Sequence, residues 1–232
     1  MSLWIRNAQR QAPMTLLLCA SMLAVFIITA LQSGSIMYNV DGSELAEAWI
    51  LYGPAIVESR WGFLRILGTA FLHIGPVHLA MNLIMLFLFG RELEQVLGRG
   101  TFLAAFFTGA VGASSAIIFF TPLAPTAGVS GVVFAFMALY AGVALEQKRE
   151  LRGLLTLIAV NIGFTVLWSE WISVWGHFGG LAIGIVLAIV NLIVRQKGVR
   201  IVAYFVVCAM CLLVDYSVLT GLSTGSLVFT TL

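Results

Sequence analysis

The sequence predicts an all-α, polytopic membrane protein. Of its 232 residues, 61% are hydrophobic and only 9% are charged, whereas soluble domains carry roughly 25% charged residues. The mean hydropathy of +1.05 points the same way. A net charge of +2 is too small to indicate nucleic acid, so the expected surroundings are a lipid bilayer, with no nucleic-acid partner.

Seven apolar segments are candidate transmembrane helices, because about 20 apolar residues are needed to cross a hydrocarbon core of about 30 Å. They are Met14–Leu31, Val77–Phe89, Thr101–Phe120, Ser130–Leu145, Leu154–Trp168, His177–Val194 and Ile201–Leu219. The second is short, but its helix is predicted to continue to Leu97, before Gly98 ends it. Its polar positions His78, Asn82 and Gly90 are expected to face other helices.

All 232 residues are predicted to form one integral membrane domain, since no soluble domain, linker or internal repeat is visible. Residues 1–13 would be a cytoplasmic N-terminus, 14–196 a six-helix core, and 197–232 an extra C-terminal helix with a short external tail. A cleaved signal peptide is the alternative for the first span, because Arg6 and Arg10 precede it. That apolar run exceeds the usual signal core of about 7 to 15 residues, which favours an uncleaved span.

The positions of Lys and Arg predict a cytoplasmic N-terminus, since cytoplasmic loops carry the excess of basic residues. With this orientation, only Arg60 and Arg65 lie outside. Of the 12 Lys and Arg residues, all the others are cytoplasmic: Arg6, Arg10, Arg91, Arg99, Lys148, Arg149, Arg152, Arg195, Lys197 and Arg200. Segment 32–76 then lies outside, and its mixture of aromatic and charged residues predicts that it rests at the membrane interface.

The fourth span is short enough to place its first residue below the membrane surface. Ser130–Leu145 would form about 24 Å of helix, several ångströms less than the hydrocarbon thickness. His177–Val194, at about 27 Å, would start a little below the outer surface. Irregular backbone at this depth, here the proline-containing segment Thr121–Val129, requires surrounding protein or a water-filled cavity. The sequence therefore predicts a wet cavity that opens outward.

Ser130 and His177 are the candidate nucleophile and general base. A serine hydroxyl reacts poorly until a base removes its proton, and neutral imidazole is the usual base near pH 7. Gly128 and Gly131 flank the serine and permit a tight turn, while free N–H groups at the helix start face a developing oxyanion. No aspartate is suitably placed to orient His177, which favours a dyad over a triad.

His78 and Asn82 lie at i and i+4 on one helix face. Both side chains could donate hydrogen bonds to one point, and with the backbone N–H of Ser130 they would form an oxyanion hole. His73 and His78 could instead bind a metal. Their spacing differs from the H-E-x-x-H of zinc proteases and no carboxylate accompanies them, so no metal or other cofactor is predicted.

Close helix packing is predicted beside His177. Gly180 and Gly184 form a small-x-x-x-small pattern, which lets helices approach closely and would bring the imidazole to the serine. Phe134 lies one turn after Ser130 and could stack on the imidazole ring.

In this order, the residues resemble the rhomboid family of intramembrane serine proteases. The resemblance runs from about Arg60 to about Asn191 and is carried by the stretches TAFLHIGPVHLAMNL, LFGRELEQVLG, AGVSGVVFAF and GHFGGLAIG. It implies a rhomboid-like six-helix core plus a C-terminal seventh transmembrane helix. It also implies a serine endopeptidase that cleaves single-span membrane proteins near the extracytoplasmic face.

The resemblance assigns roles to individual residues. It implies that Ser130 is the nucleophile and His177 the general base. The other implied roles are oxyanion binding by His78 and Asn82, a structural hydrogen bond by Glu94, and anchoring of the first external loop by His73. Two departures are visible: position 134 is Phe where some members have Tyr, and Arg60-Trp61 reverses the usual Trp-Arg pair.

Some ionisable residues and cysteines have more than one interpretation. Asp215 could contact a substrate or partner, as the general rule that intramembrane charges mark function suggests. The favoured interpretation is a cap at the membrane interface, beside Tyr216 and Ser217. Glu94 is either hydrogen-bonded to backbone or a solvated charge. The cysteines are predicted to be inert small hydrophobes rather than a disulfide or metal site: Cys19, Cys208 and Cys211.

Two other functions remain open at this point. A non-catalytic relative would bind transmembrane helices, but such proteins usually lack the serine or the histidine. A transporter or channel would need several buried charges, whereas Asp215 is the one acidic or basic residue well inside a span. The external loop Ser169–Trp175 is predicted to be a mobile cap. A bacterial inner membrane is the expected location, since no organelle-targeting segment is evident, and the sequence predicts no oligomeric state.

Overall fold

The computed structural model describes residues 12–224, which form a bundle of helices. The α-helices in this range are α1 Pro13–Ser33, α2 Glu44–Trp49, α3 Gly53–Glu58, α4 Arg65–Gly68, α5 Gly75–Leu97, α6 Arg99–Phe120, α7 Ser130–Glu146, α8 Arg152–Leu167, α9 Val174–Ile193 and α10 Lys197–Ser223. Two 3₁₀ helices, Gly62–Leu64 and Thr69–Phe71, flank α4. The all-α fold class is confirmed. Of the two predicted termini, residues 1–11 and residues 225–232 lie outside the described residues.

Each of the seven predicted spans corresponds to one helix. Within residues 12–224, five helices are long and apolar enough to cross a membrane: α1, α5, α6, α9 and α10. The other two, α7 and α8, have 17 and 16 residues. At about 1.5 Å per residue, α7 is about 26 Å long, so it is shorter than the hydrocarbon core, as its sequence predicts. The chain is an integral, multi-pass membrane protein.

The helix of the sixth predicted span, α9, begins earlier than predicted. It starts at Val174, so His177 lies in its first turn and does not open it. The reason is a helix cap: the side chain of Ser173 accepts a hydrogen bond from the backbone N–H of Gly176 at 3.2 Å, which satisfies one of the free donors at the helix start. The same turn carries Trp175, which was predicted to belong to the external loop.

The central helix is α7 and the most peripheral one is α8. Every residue of α7 from Gly131 to Leu139 is buried, as expected for a helix that is apolar on all sides. In contrast, α8 buries one residue along its whole length, Thr165. Other parts of the bundle therefore surround α7, whereas α8 is largely exposed.

The start of α1 is capped by a side chain from α5. Ala12 provides no side-chain cap, but Glu94 accepts hydrogen bonds from the backbone N–H of Met14 at 3.0 Å and from the backbone N–H and the hydroxyl of Thr15, each at 2.8 Å. Gly90 allows this approach, because a Cβ there would lie 2.9 Å from the Thr15 methyl carbon. Glu94 is 2% exposed, so the interpretation as a solvated charge is wrong.

We expect Glu94→Ala to lower the unfolding free energy by about 2 to 3 kcal/mol, because charged hydrogen bonds are lost and the N–H groups of α1 remain buried. Glu94→Gln should have a smaller effect, since one amide oxygen still accepts. Thermal unfolding in detergent, followed by circular dichroism, measures this. Gln95→Ala, at an exposed neighbour, is the control, and an unchanged melting temperature for Glu94→Ala would show that the cap is unimportant.

The segment between α1 and α5 is folded into short helices. Its Arg65 donates to the backbone carbonyls of Glu47 at 2.6 Å and Ile50 at 2.9 Å, and so closes the end of α2. The reversed pair Arg60-Trp61 forms a contact of its own, with the guanidinium 5.6 Å from the centroid of the indole ring. The segment is ordered, as its aromatic and charged composition predicts.

The segment between α1 and α5 also bonds to the irregular stretch that leads into α7. Leu51 and Thr126 form an antiparallel bridge with N–H···O distances of 3.0 and 2.9 Å, and Gly53 N–H donates to Pro122 O at 2.8 Å. The hydroxyl of Thr69 donates to Thr126 O at 2.7 Å. These bonds satisfy backbone groups that the irregular stretch would otherwise leave unpaired.

The seventh span, α10, packs on α6 and α3. Asp215 is 1% exposed, and the Ser115 hydroxyl lies 2.9 Å from its carboxyl oxygen Oδ2. The prediction of an interfacial cap is therefore wrong. Asp215 lies on the face of α10 that also buries Val218 and Leu219, three and four residues later, and this face turns the carboxyl toward α6.

Cys19, Cys208 and Cys211 are free thiols.

Ser115→Ala should destabilise the protein by about 1 to 3 kcal/mol, because it leaves a buried carboxyl without its hydroxyl partner. Adding Asp215→Leu should restore most of the loss, since replacing both partners with apolar groups removes the unsatisfied polar atom. Melting temperatures of the single and double variants test this. Ser217→Ala, at an exposed position of α10, is the control, and a double variant that melts below Ser115→Ala would contradict the interpretation.

Candidate active site

Ser130 is the first residue of α7 and is placed there by a glycine turn. Gly128 has φ of +130°, a region that favours glycine, and its N–H donates to Thr69 O at 2.9 Å. A Cβ at Gly128 would lie 2.8 Å from the His78 ring. Position 128 thus requires glycine both for its backbone angle and for the approach of His78.

His177 and Ser130 are in hydrogen-bond contact. The imidazole Nε2 lies 2.7 Å from the serine Oγ, within the reach that a general base requires. The Phe134 ring stacks on the imidazole, with centroids 4.3 Å apart and planes at 22°. His177 is 8% exposed, so the pair is shielded but still reachable from the adjoining cavity.

The glycines of α9 bring the two helices together. A Cβ at Gly180 would overlap the carbonyl oxygen of Gly131, and one at Gly184 would overlap that of Ala135. The backbones of α7 and α9 therefore touch, as the small-x-x-x-small pattern predicts. A larger residue at either glycine would push His177 away from Ser130.

Gly180→Ala should lower the stability by about 1 to 3 kcal/mol or more, because an added methyl group meets rigid backbone. Gly163→Ala is a matched control in α8, since nothing lies within 4 Å of a Cβ there. The control should match or exceed the wild-type stability, because alanine favours helix by up to about 1 kcal/mol. Thermal unfolding compares the two, and equal melting temperatures would exclude the tight contact.

His78 and Asn82 lie on α5 at the edge of the same cavity. The Nδ1 of His78 accepts a hydrogen bond from the N–H of Ile74 at 3.2 Å, so the hydrogen of the neutral ring is on Nε2, beside Gly128. The Asn82 amide donates to the backbone carbonyl of His78 at 3.0 Å and keeps its second hydrogen for another acceptor. Convergence of both side chains on one oxyanion stays a prediction.

The cavity has a volume of about 920 Å³. Polar side chains line one part of it: Ser130, His177, His78 and Asn82. Its walls are mostly apolar and come from α5, α8 and the loop after α8: Val77, Met81, Met85, Phe164, Trp171 and Ile172. Trp171 is 86% exposed, whereas Trp175 stacks on Phe120 with centroids 3.9 Å apart. Mobility of the loop stays a prediction.

His73 and a residue that sequence reasoning missed, Asn39, hold the start of α5. The Asn39 amide donates to Thr29 Oγ1 at 2.7 Å and to His73 O at 2.9 Å, and its oxygen accepts from Gly75 N–H at 2.8 Å. His73 lies before α5, and burial, followed by the effect of His78, lowers the pKa of His73 to about 3. The ring is therefore neutral. Nothing in the pattern around Asn39 distinguishes it from an ordinary loop residue.

Sequence reasoning also missed Thr165, whose hydroxyl lies 2.7 Å from Nδ1 of His177. One signal was available: Asn161 and Thr165 are a polar i, i+4 pair in an apolar span. In residues 12–224, no group of three or more His, Cys, Asp and Glu residues is arranged to hold a metal ion.

The fold and the site define a polytopic membrane protein with a serine and a histidine in contact at a cavity. Residues 60–194 match the family model described as the Rhomboid domain. This chain belongs to the rhomboid family, which confirms the resemblance seen in its motifs.

Relatives are found in bacteria and in animals. The chain is 32% identical to "Rhomboid protease GluP" of Bacillus subtilis over 149 residues, which are 60% of this chain and 29% of that protein. It is 31% identical to "Rhomboid protease GlpG" of an Enterobacter species over 211 residues, 82% of this chain and 67% of the relative. It is 26% identical to human "Rhomboid-related protein 3", covering 73% of this chain and 46% of that protein.

Proposed function

We propose that this protein is a serine endopeptidase that cleaves single-span membrane proteins near the extracytoplasmic face. The observation that carries the proposal is the 2.7 Å contact between Ser130 Oγ and His177 Nε2, two side chains that line a cavity of about 920 Å³. Two of its relatives are named as proteases. In the described part of the chain, the catalytic region would be the six-helix core that ends at residue 196.

Substrate would reach the cavity sideways from the bilayer. The cavity lies between α5 and α8, and α8 buries little of its surface against the bundle. A peptide bond inside a helix is shielded and its carbonyl is occupied, so the substrate helix must open locally before it reacts. Residues of low helix propensity, such as Gly or Pro near the cut, would ease that opening.

In the acylation step, Ser130 Oγ attacks the substrate carbonyl and its proton passes to His177 Nε2. The negative oxygen would accept hydrogen bonds from His78 Nε2–H, from the second amide hydrogen of Asn82 and from the backbone N–H of Ser130, which is free at the helix start. The C–N bond then breaks as His177 gives the proton to the leaving amine. Water, deprotonated by His177, hydrolyses the acyl enzyme.

The membrane orientation is part of the proposal. Ser130 begins α7, and the opposite end of that helix carries Glu146, which pairs with Arg195 among the basic residues of the neighbouring helix ends. Because basic residues favour the cytoplasmic side, this end would face the cytoplasm and Ser130 the outside. The N-terminus would be cytoplasmic, and the membrane would be the inner membrane of a bacterium.

Incubation of the detergent-purified protein with a fluorophosphonate or isocoumarin probe tests the proposal. Wild type should become labelled at Ser130 and should cut a tagged single-span substrate near its extracytoplasmic end. Ser130→Ala and His177→Ala should each lower cleavage by at least about 10³-fold, because the two residues act as a unit. The control Ser217→Ala, at an exposed site, should behave as wild type.

Other results would favour another function. A folded wild type that neither reacts with the probes nor cuts a substrate, but binds transmembrane peptides, would favour a non-catalytic helix-binding protein. Solute flux into liposomes that Ser130→Ala retains would favour a transporter.

A further inference from the structure

The one residue that α8 buries touches the candidate base. Thr165 is 1% exposed, whereas no other residue of its helix is buried. Its Oγ1 is 2.7 Å from Nδ1 of His177 and 2.8 Å from the backbone carbonyl oxygen of Asn161. The hydroxyl therefore has two polar neighbours, one of which is the ring nitrogen remote from Ser130.

The single hydrogen of the hydroxyl decides the direction of both bonds. A threonine hydroxyl has one donor hydrogen and two acceptor lone pairs, and a carbonyl oxygen only accepts. The hydrogen of Thr165 thus goes to Asn161 O, and Thr165 Oγ1 must accept from Nδ1–H of His177. A neutral imidazole has one N–H, so the bare Nε2 faces Ser130 Oγ at 2.7 Å.

This tautomer is the one that a general base requires. If the hydrogen were on Nε2, the ring could donate to Ser130 but could not take its proton. In serine proteases with a triad, a buried aspartate sets the tautomer, and its loss lowers kcat by about 10⁴-fold. Phe134 fixes the plane of the ring but has no donor or acceptor, so it cannot select the tautomer.

We propose that Thr165 is a positioning residue that holds His177 as the Nδ1–H tautomer, with its Nε2 directed at Ser130. The catalytic role of Thr165 rests on the proposed function, but the assignment of the tautomer does not. When His177 gains a proton at Nε2, the bond from Nδ1–H to Thr165 Oγ1 remains, so no group has to turn. An uncharged hydroxyl thereby performs the orienting role that a charged aspartate has in a triad.

The tautomer is measured by NMR on the full-length, ¹⁵N-histidine-labelled protein in detergent, at about pH 8, where imidazole is mostly neutral. The His177 signals are those that His177→Ala removes. Wild type and Thr165→Ser should show Nδ1–H, and Thr165→Val should shift toward Nε2–H. Nε2–H in the wild type would overturn the proposal, even if Thr165→Val failed to fold.

The rate of fluorophosphonate labelling supplies the second readout. Thr165→Val should react at least about tenfold more slowly, equivalent to about 1.4 kcal/mol, and Thr165→Ser should stay near the wild-type rate. Thr156→Val is the matched control, because the exposed Thr156 bonds to Arg152 O at 2.9 Å in the same helix and touches no histidine. It should leave the rate unchanged.

The outcomes separate the two hypotheses. If folded Thr165→Val reacts as fast as wild type, or if Thr165→Ser loses as much as Thr165→Val, the positioning role is overturned. If wild type shows Nδ1–H on His177 but reacts with no probe, the tautomer assignment stands and the proposed protease function fails.

Discussion

The backbones of α7 and α9 touch at glycine, and the geometry of the site depends on this contact. Gly180 and Gly184 leave no space for a Cβ against the carbonyl oxygens of α7. In a bilayer, where lipid is as apolar as a leucine side chain, helices associate through such close packing rather than through the hydrophobic effect. Ser130 and His177 lie one turn or less from this contact. The distance between their side chains is therefore set by the backbone, which is more rigid than a long side chain.

A second constraint is that the irregular backbone before Ser130 needs hydrogen-bond partners. The stretch before Ser130 cannot be helical through its prolines and its glycine turn, so its polar groups need partners from elsewhere. Leu51, Gly53 and Thr69 provide them. The segment between α1 and α5 is therefore part of the support of Ser130, and α10 in turn packs against this segment through α3.

The residues predicted from motifs were those whose chemistry is visible locally. Ser130 follows a glycine turn and His177 precedes a pair of spaced glycines, and the structure brings both into one cavity with His78 and Asn82. Thr165 and Asn39 were missed because a threonine in a helix or an asparagine in a loop has no distinctive neighbours along the chain. Their partners lie 12 and 34 residues away, and only folding reveals them. Asp215 was misjudged for the same reason, since its neighbours in sequence are exposed and its partner Ser115 is on another helix.

By itself, the sequence determined the class of protein, the seven long apolar segments that form helices and the candidate serine and histidine. These follow from composition, from runs of apolar residues and from short motifs, all of which are properties of contiguous chain. The tertiary structure alone decided which hydroxyl meets Nδ1 of His177, which carboxylate caps α1 and where Asp215 is buried. Those contacts join residues on different helices, and the rotation of each helix about its axis is set by packing, which no local pattern encodes.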